Sequence, residues 1–378
     1  MHFVAGTTRL SSIALVLSAL AWGCGIAPSA DDDRAPVHTA STTEALLGAS
    51  DFGFAFVQSN AINATRSYNS RGGANAVSRT SAGAYTVTMS MISVNAGNAQ
   101  VVAAGGNANR CRLVNWFASG SNENINVQCN AADGTPADTD FEVMFYVGNG
   151  TWSNSSVTDS AYAWYSPTGG MPSGSYNYNS GTAGTTPNTV TTIATGSYRV
   201  NLARVQYQNA SVLVSAYGGT GAPFCNVGNW SSSAGPSTNV TVNCFATDGT
   251  PSSDVGFSLS YATTGPTLEQ QGGHAWVTSG AMSSSYSFAV GPILGCSGSL
   301  SLTGTTVTVS DLSAWSGTMA QAAFASAYSM GATYCKLSSF VPTATSGQAS
   351  VMCYMANGTP TSSAFTVTIT SNQPSGPC

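Results

Sequence analysis

Charged side chains are what this 378-residue chain has least of. Asp, Glu, Lys and Arg make up only 7% of it, and Lys336 is its single lysine. An average soluble domain carries roughly 25% charged residues. Proteins that bind nucleic acid neutralise phosphates with clustered lysine and arginine, whereas the formal net charge here is −5. The composition therefore argues against a nucleic-acid partner.

Signals for helices and for catalysis are also scarce. No stretch keeps an apolar stripe at helical spacing beyond a turn or two, and no glycine-rich loop stands between a strand and a helix, so nucleotide binding has no support. His274 is the only histidine in the region expected to fold, and it stands where the repeats described below have Phe54 or Tyr162. We expect His274 to be a packing residue, and we expect no enzymatic activity and no cofactor; an envelope-polymer hydrolase is the remaining enzymatic alternative.

Residues 1–23 have the form of a secretion signal. Arg9 precedes an apolar run that ends at Leu20 and is too short to span a bilayer. The following Ala-Trp-Gly-Cys24 resembles the lipobox of bacterial lipoproteins, which implies a lipid on Cys24 and a membrane partner. An ordinary signal-peptidase cut after Ala21 is the alternative. Residues 24–48 are then expected to be a flexible tether that holds the protein at the bacterial envelope.

Two signatures occur three times each. The first is Cys111-Arg-Leu-Val-Asn-Trp116, repeated as Cys225-Asn-Val-Gly-Asn-Trp230 and Cys335-Lys-Leu-Ser-Ser-Phe340. The second is Asp133-Gly-Thr-Pro136, repeated as Asp248-Gly-Thr-Pro251 and Asn357-Gly-Thr-Pro360. The copies are domain-sized, and we name them module 1 (49–158), module 2 (159–270) and module 3 (271–378).

Within a module the pattern predicts strands. Apolar and polar residues alternate in segments such as 211–217 and 238–245, as half-buried strands require. Module 2 contains about eight such segments, near 161, 175, 189, 198, 212, 224, 240 and 256. We therefore predict an all-β protein of three tandem antiparallel β-sandwich modules, immunoglobulin-like or jelly-roll. Because each module has its own strands, turn and cysteine pair, each is expected to fold independently.

The cysteine spacing predicts one disulfide in each module. Cys111 with Cys129, Cys225 with Cys244, and Cys335 with Cys353 lie on consecutive strand segments, which brings each pair within bonding distance. Cys24, Cys296 and Cys378 are left over. A fourth bridge from Cys296 to Cys378 is expected, with two free thiols as the alternative.

Trp116 and Trp230 are the first binding candidates. In a regular strand each tryptophan would point to the face opposite its cysteine, because the two are an odd number of residues apart. An exposed tryptophan on that face would form a stacking platform for sugars. A β-bulge that returns the ring to the core is the alternative.

An acidic cluster in module 1 is the second candidate. Asp133, Asp138 and Asp140, with the nearby Glu142, offer oxygen ligands for Ca²⁺. A solvated turn with an Asx hydrogen bond is the alternative, and it leaves no metal bound.

The repeated pattern also resembles a known group of proteins. An aromatic-Ala-Trp start, Gly-x-Tyr-x-Val, Ala-Tyr-Gly and Asp-Gly-Thr-Pro resemble tandem modules of uncharacterised secreted proteins from actinobacteria and myxobacteria, over nearly all of 50–370. The resemblance implies that the protein is located at the cell envelope, and it implies no mechanism. We expect a non-enzymatic surface lipoprotein acting as an adhesive, structural or spacer protein. The alternative is a glycan-binding protein, so a surface glycan or protein is a further candidate partner; the oligomeric state stays open.

Overall fold

The computed structural model describes eleven stretches of the chain, which together cover most of the three modules. These are residues 51–148, 160–170, 174–182, 188–205, 210–232, 237–263, 270–290, 293–294, 298–312, 319–374 and 376–377. The only helices described there are two single 3-10 turns, Gly174–Tyr176 and Ser180–Thr182. In the same stretches no helix is long and apolar enough to cross a membrane. The signal, Cys24 and the tether lie outside the described residues.

Strands account for nearly all of the regular structure. Module 1 forms β1 (Phe52–Gln58), β2 (Ala61–Asn69), β3 (Asn75–Ser81), β4 (Ala84–Ser90), β5 (Asn98–Ala104), β6 (Arg110–Ser119), β7 (Asn122–Asn130) and β8 (Asp140–Tyr146). Module 2 forms β9 (Ser160–Tyr165), β10 (Asn177–Asn179), β11 (Thr189–Ala194), β12 (Ser197–Leu202), β13 (Ala210–Tyr217), β14 (Phe224–Ser232), β15 (Thr238–Phe245) and β16 (Gly256–Thr263). The eight strands predicted for module 2 are therefore all present.

Module 3 repeats the pattern with additional short strands. Its strands are β17 (Gln270–Thr278), β18 (Ala281–Met282), β19 (Phe288–Val290), β20 (Ile293–Leu294), β21 (Ser299–Thr303), β22 (Thr306–Ser310), β23 (Gln321–Tyr328), β24 (Thr333–Pro342), β25 (Ser346–Met355), β26 (Pro360–Thr361), β27 (Ala364–Pro374) and β28 (Gly376–Pro377). The first of them starts at Gln270, one residue before the predicted boundary.

Modules 1 and 2 are each a sandwich of two four-stranded layers, and module 3 adds the short strands β19 and β26 to its two layers. In module 1 the layers have the orders β2-β1-β8-β5 and β3-β4-β7-β6, and all pairings within them are antiparallel. Alternate residues of both layers, such as Val87, Ile125 and Phe141, meet in the core between them. The all-β sandwich prediction is confirmed. The strand order is not the immunoglobulin order, because the first strand lies between the second and the eighth.

The layers of different modules continue into one another through three equivalent parallel joints. Strand β13 of module 2 pairs with β6 of module 1, β23 of module 3 with β14 of module 2, and β5 of module 1 with β24 of module 3. At each joint one amide donates across the boundary, from Gly218 to the Leu113 carbonyl at 3.0 Å, from Ser329 to Val227 at 2.8 Å and from Gly105 to Leu337 at 3.0 Å. The modules therefore form a closed ring of three mixed sheets.

Closing the ring creates a second core at its centre. Strand β13, which the alternation predicts to be half-buried, is buried on both faces: Leu213 is 3% and Ser215 is 4% exposed. Phe52 and Phe54 of module 1 share one apolar cluster with Phe324 of module 3 and Leu213. Residues 46–378 form a single compact unit, and the described parts of the three modules share this central core.

Hydroxyl and amide groups bond across the central core. The Ser215 hydroxyl accepts from the Val101 amide at 2.9 Å, and the Ser326 hydroxyl accepts from the Val214 amide at 2.9 Å. The Thr366 hydroxyl donates to the Val212 carbonyl at 2.6 Å. Buried polar groups are costly unless they are bonded, so these hydrogen bonds favour one alignment of the modules.

Candidate functional site

A β-bulge in strand β6 and another in β14 turn the predicted tryptophan platforms inward. Register shifts between Leu113 and Asn115 and between Val227 and Asn229 each insert one residue. One extra residue moves all later side chains to the other face of the strand. Trp116 is consequently 6% exposed and Trp230 is 7% exposed. The exposed-platform alternative is wrong, and the bulge alternative is correct.

Trp116 instead becomes one wall of an aromatic box at the joint between modules 1 and 2. We call its members, which are Trp116, Trp164, Tyr176 and Tyr217, the first cage; they line a pocket of about 130 Å³. Ring centroids within it lie 5.0 to 5.9 Å apart, and Trp116 meets its three neighbours edge to face. The last three rings are only partly buried, so the pocket is accessible from solvent.

Equivalent residues form a second box at the joint between modules 2 and 3. The second cage consists of Trp230, Trp276, Tyr286 and Tyr328. Neighbouring ring centroids are 5.1 to 5.7 Å apart, and the neighbouring rings meet edge to face. The Tyr328 hydroxyl donates to the Asn229 side-chain oxygen at 3.1 Å. Two of the three joints therefore carry the same four-ring arrangement.

The third joint, between modules 3 and 1, contains an arginine at the same position. Phe340 and Phe56 stand where the first cage has Trp116 and Trp164. The guanidinium of Arg66 lies 3.6 Å from the ring centroid of Phe56 and 4.9 Å from that of Phe340. Ala104 stands in the place of Tyr217. We call the set of Arg66, Phe56, Phe340 and Ala104 the arginine-filled position.

Strand register shows why Arg66 corresponds to a tyrosine of each cage. Tyr68 pairs with Phe54, as Tyr178 pairs with Tyr162. Arg66 precedes Tyr68 by two residues, as Tyr176 precedes Tyr178, so these two share a position. The sequence also repeats Ser-Tyr, as Ser67-Tyr68 and Ser175-Tyr176, but aligning the copies on that dipeptide places them two residues out of register. A position that is a partly buried tyrosine in two copies and a buried arginine in one is the signal that correct alignment provides.

Arg66 has a buried acidic partner. It forms an ion pair with Glu142, whose side chain is fully buried. Burial raises the pKa of Glu142 to about 7, and Arg66 opposes that rise. Glu142 therefore belongs to the third joint and not to the predicted acidic cluster. Sequence reasoning did not identify this pair.

The predicted calcium ligands serve structural hydrogen bonds. Asp133 accepts from the Thr135 amide at 2.9 Å and from its hydroxyl at 2.7 Å, which makes the Asx turn of the alternative prediction. Asp138 accepts from the Arg79 Nε at 2.8 Å, and this hydrogen bond is the main reason that the pKa of Asp138 falls to about 2. Asp140 accepts from the Ser59 amide at 2.9 Å.

These three carboxylates do not form a metal site in the structure. Within the described stretches no group of three or more His, Cys, Asp or Glu side chains could hold a metal ion. The turn itself requires glycine, because Gly134 has φ 94° and its counterparts Gly249 and Gly358 have φ 87° and 84°.

The three repeated turns meet around a buried arginine. The guanidinium of Arg110 donates to one carbonyl from each module: Thr247 at 2.9 Å, Ala356 at 3.1 Å and Ala132 at 3.3 Å. It also lies between two aromatic rings, 4.6 Å from the Phe224 centroid and 4.7 Å from the Tyr334 centroid. Burial lowers the Arg110 pKa below its ordinary value. Arg110 thus links all three modules, and its signal in sequence is that both sister positions are aromatic.

The three predicted disulfides are present. They join Cys111 with Cys129, Cys225 with Cys244 and Cys335 with Cys353, in each case between directly opposed residues of neighbouring antiparallel strands. The proposed bridge between Cys296 and Cys378 involves residues outside the described stretches.

His274 occupies the packing position that its alignment predicts. It lies in strand β17, is 1% exposed, and pairs across the sheet with Phe288 and Thr368.

Comparison of the chain with protein-family models, with curated proteins and with solved structures found no match.

Proposed function

We propose that the chain is a non-enzymatic bacterial surface protein whose modules act as one rigid adhesive or structural block. The closed ring with three equivalent joints is the observation that carries the proposal. A ring in which every module is bonded to both others resists extension better than modules connected only by linkers. We therefore expect the three modules to act as one block.

The use of the buried charges supports the same role. Arg66 pairs with Glu142 at one joint, and Arg110 binds carbonyls of all three modules. Lys336 donates to the Asn107 carbonyl at 2.9 Å and to its side-chain oxygen at 3.0 Å across the joint between modules 3 and 1. Arg110 and Lys336 therefore bond directly between modules, while the pair of Arg66 and Glu142 lies within module 1 and contacts module 3 through the ring of Phe340.

Export to the envelope is supported by the disulfides and by the N-terminal signal. Three disulfides are typical of oxidising compartments. The proposal adds a lipid on Cys24 that anchors the block, in keeping with the lipobox resemblance. Labelled palmitate should enter the full chain, and Cys24→Ser should abolish incorporation. A mature N-terminus at Trp22 would overturn the lipid anchor while leaving export intact.

The adhesive or structural role has its own test. Cells displaying the full chain are compared with cells displaying residues 1–48 fused to an unrelated soluble domain, for attachment to surfaces and for envelope integrity. Loss of either property in the fusion supports the proposal, and equal behaviour contradicts it. Turnover of a cell-wall polymer by the purified chain would replace the proposal with the hydrolase alternative. Glycan-array binding that disappears in Trp230→Ala would replace it with glycan recognition.

A further inference from the structure

The arginine-filled position shows what the aromatic positions at the joints can hold. There a guanidinium lies against the rings of Phe56 and Phe340. The quadrupole of an aromatic ring makes its face partially negative, so the face attracts cations. Boxes of several rings are suited to quaternary ammonium groups. The molecule thus contains one example of a cation held at these ring positions, with Glu142 as its anionic partner. Ser258 and Thr366 stand in the place of Glu142 at the first and second cages.

The two cages differ from the arginine-filled position in having no arginine of their own. Tyr176 and Tyr286 replace Arg66, and Tyr217 and Tyr328 replace Ala104. These substitutions exchange a cation for rings at each joint. The four rings of the first cage line a pocket of about 130 Å³ that is accessible from solvent.

We propose that the first cage binds organic monocations with a methylated-ammonium or guanidinium head. Two features favour a cation over a sugar. Sugars stack on flat exposed rings, whereas the cage rings meet at steep angles, from 59° to 85° in the first cage. The chain is also acidic, with a net charge of −5, which favours the approach of cations.

The first experiment compares two probes of the same shape on the unmodified protein. Choline carries a trimethylammonium head, and 3,3-dimethylbutan-1-ol is its neutral isostere. Calorimetry and tryptophan fluorescence should show choline binding at least about tenfold tighter, equivalent to about 1.4 kcal/mol. Methylguanidinium should compete with choline. Equal binding of the neutral isostere would mean an apolar pocket, and competition by cellobiose instead would mean a sugar site; either result overturns the proposal, as does no response to choline.

Variants based on the arginine-filled position test the location. Tyr176→Arg supplies the first cage with its own guanidinium and should abolish choline binding there. Tyr217→Ala reproduces Ala104, a residue that the third joint accepts, and should weaken binding at the first cage at least about fivefold because one ring is removed. Phe117→Ala removes a ring that is 41% exposed outside the cage and should leave binding unchanged.

The variants are decisive even if one of them misfolds. Circular dichroism and the disulfide map establish which variants keep the wild-type fold. Full choline affinity in a folded Tyr176→Arg or Tyr217→Ala variant would overturn the location at the first cage. If both variants misfold, the probe comparison on the unmodified protein still decides whether the chain binds organic cations.

Discussion

Replacing Arg110 by methionine should weaken the attachment of all three modules at once. Methionine keeps much of the side-chain length but donates no hydrogen bond. Three carbonyls would each lose a charged donor, those of Thr247, Ala356 and Ala132. The rings of Phe224 and Tyr334 would lose the cation that lies between them. Hydrogen bonds to charged groups contribute about 1.5–3 kcal/mol each.

Relief from burying the charge offsets part of that destabilisation. Arg110 is only 4% exposed, and a buried charge carries a desolvation cost of several kcal/mol. Because the three hydrogen bonds and the attraction to both rings disappear while one charge is relieved of burial, we expect the free energy of unfolding to fall by about 3–5 kcal/mol. That is a large part of the stability of an ordinary protein.

Urea denaturation followed by far-UV circular dichroism measures this change, with Arg112→Met as the matched control. Arg112 is two residues away on the same strand, and its guanidinium makes a long hydrogen bond of 3.5 Å to the Gly221 carbonyl. We expect the control to cost under about 1 kcal/mol. If Arg110→Met stays within about 1 kcal/mol of wild type, or if the two variants cost the same, the linking role of Arg110 is refuted.

Three further outcomes follow from the structure. Burial raises the pKa of Glu123 to about 8. Between pH 4.5, near the pKa of the unfolded state, and pH 8, only the folded state keeps the proton on this side chain. The free energy of unfolding should therefore fall as the pH rises, by up to about 1.4 kcal/mol per pH unit. Glu123→Gln should flatten that slope in denaturation series at pH 5 to 8, and an unchanged slope argues against it. Cys225→Ala/Cys244→Ala opens a loop of 19 residues and should cost about 3 kcal/mol, whereas a cost near zero contradicts the constraint. Residues 159–270 expressed alone should aggregate or lack a cooperative transition, while 49–378 unfolds in one step; a monomeric, cooperatively melting fragment would show that the shared core is dispensable.

Local features were predictable from the sequence because local residues determine them. The alternation around 240 and the glycine turn at Gly134 depend on neighbours along the chain. The pairing of Cys225 with Cys244 required only that consecutive strands be adjacent. These features need no knowledge of where another module lies.

The joints could not be predicted in the same way. Each parallel joint is a single residue pair, such as Tyr217 with Leu113, and leaves no periodic pattern. Burial of both faces of strand β13 was hidden because Ser211 and Ser215 resemble solvent-facing residues while they bond inside the central core. The bulge that buries Trp116 depends on one inserted residue, which strict alternation cannot detect.

The joint that closes the ring differs chemically from the other two, and that difference bears on assembly. It joins modules 3 and 1, the segments farthest apart in the chain, and it contains Arg66 with Glu142 and the buried Lys336 with Asn107. Burial lowers the pKa of Lys336 to about 8, so this amine is costly to bury without its acceptors. Pairing of β24 with the equivalent strand β13 of module 2 would bury Lys336 away from Asn107. We therefore expect the charges at this joint to favour module 1 over module 2 as the partner of module 3.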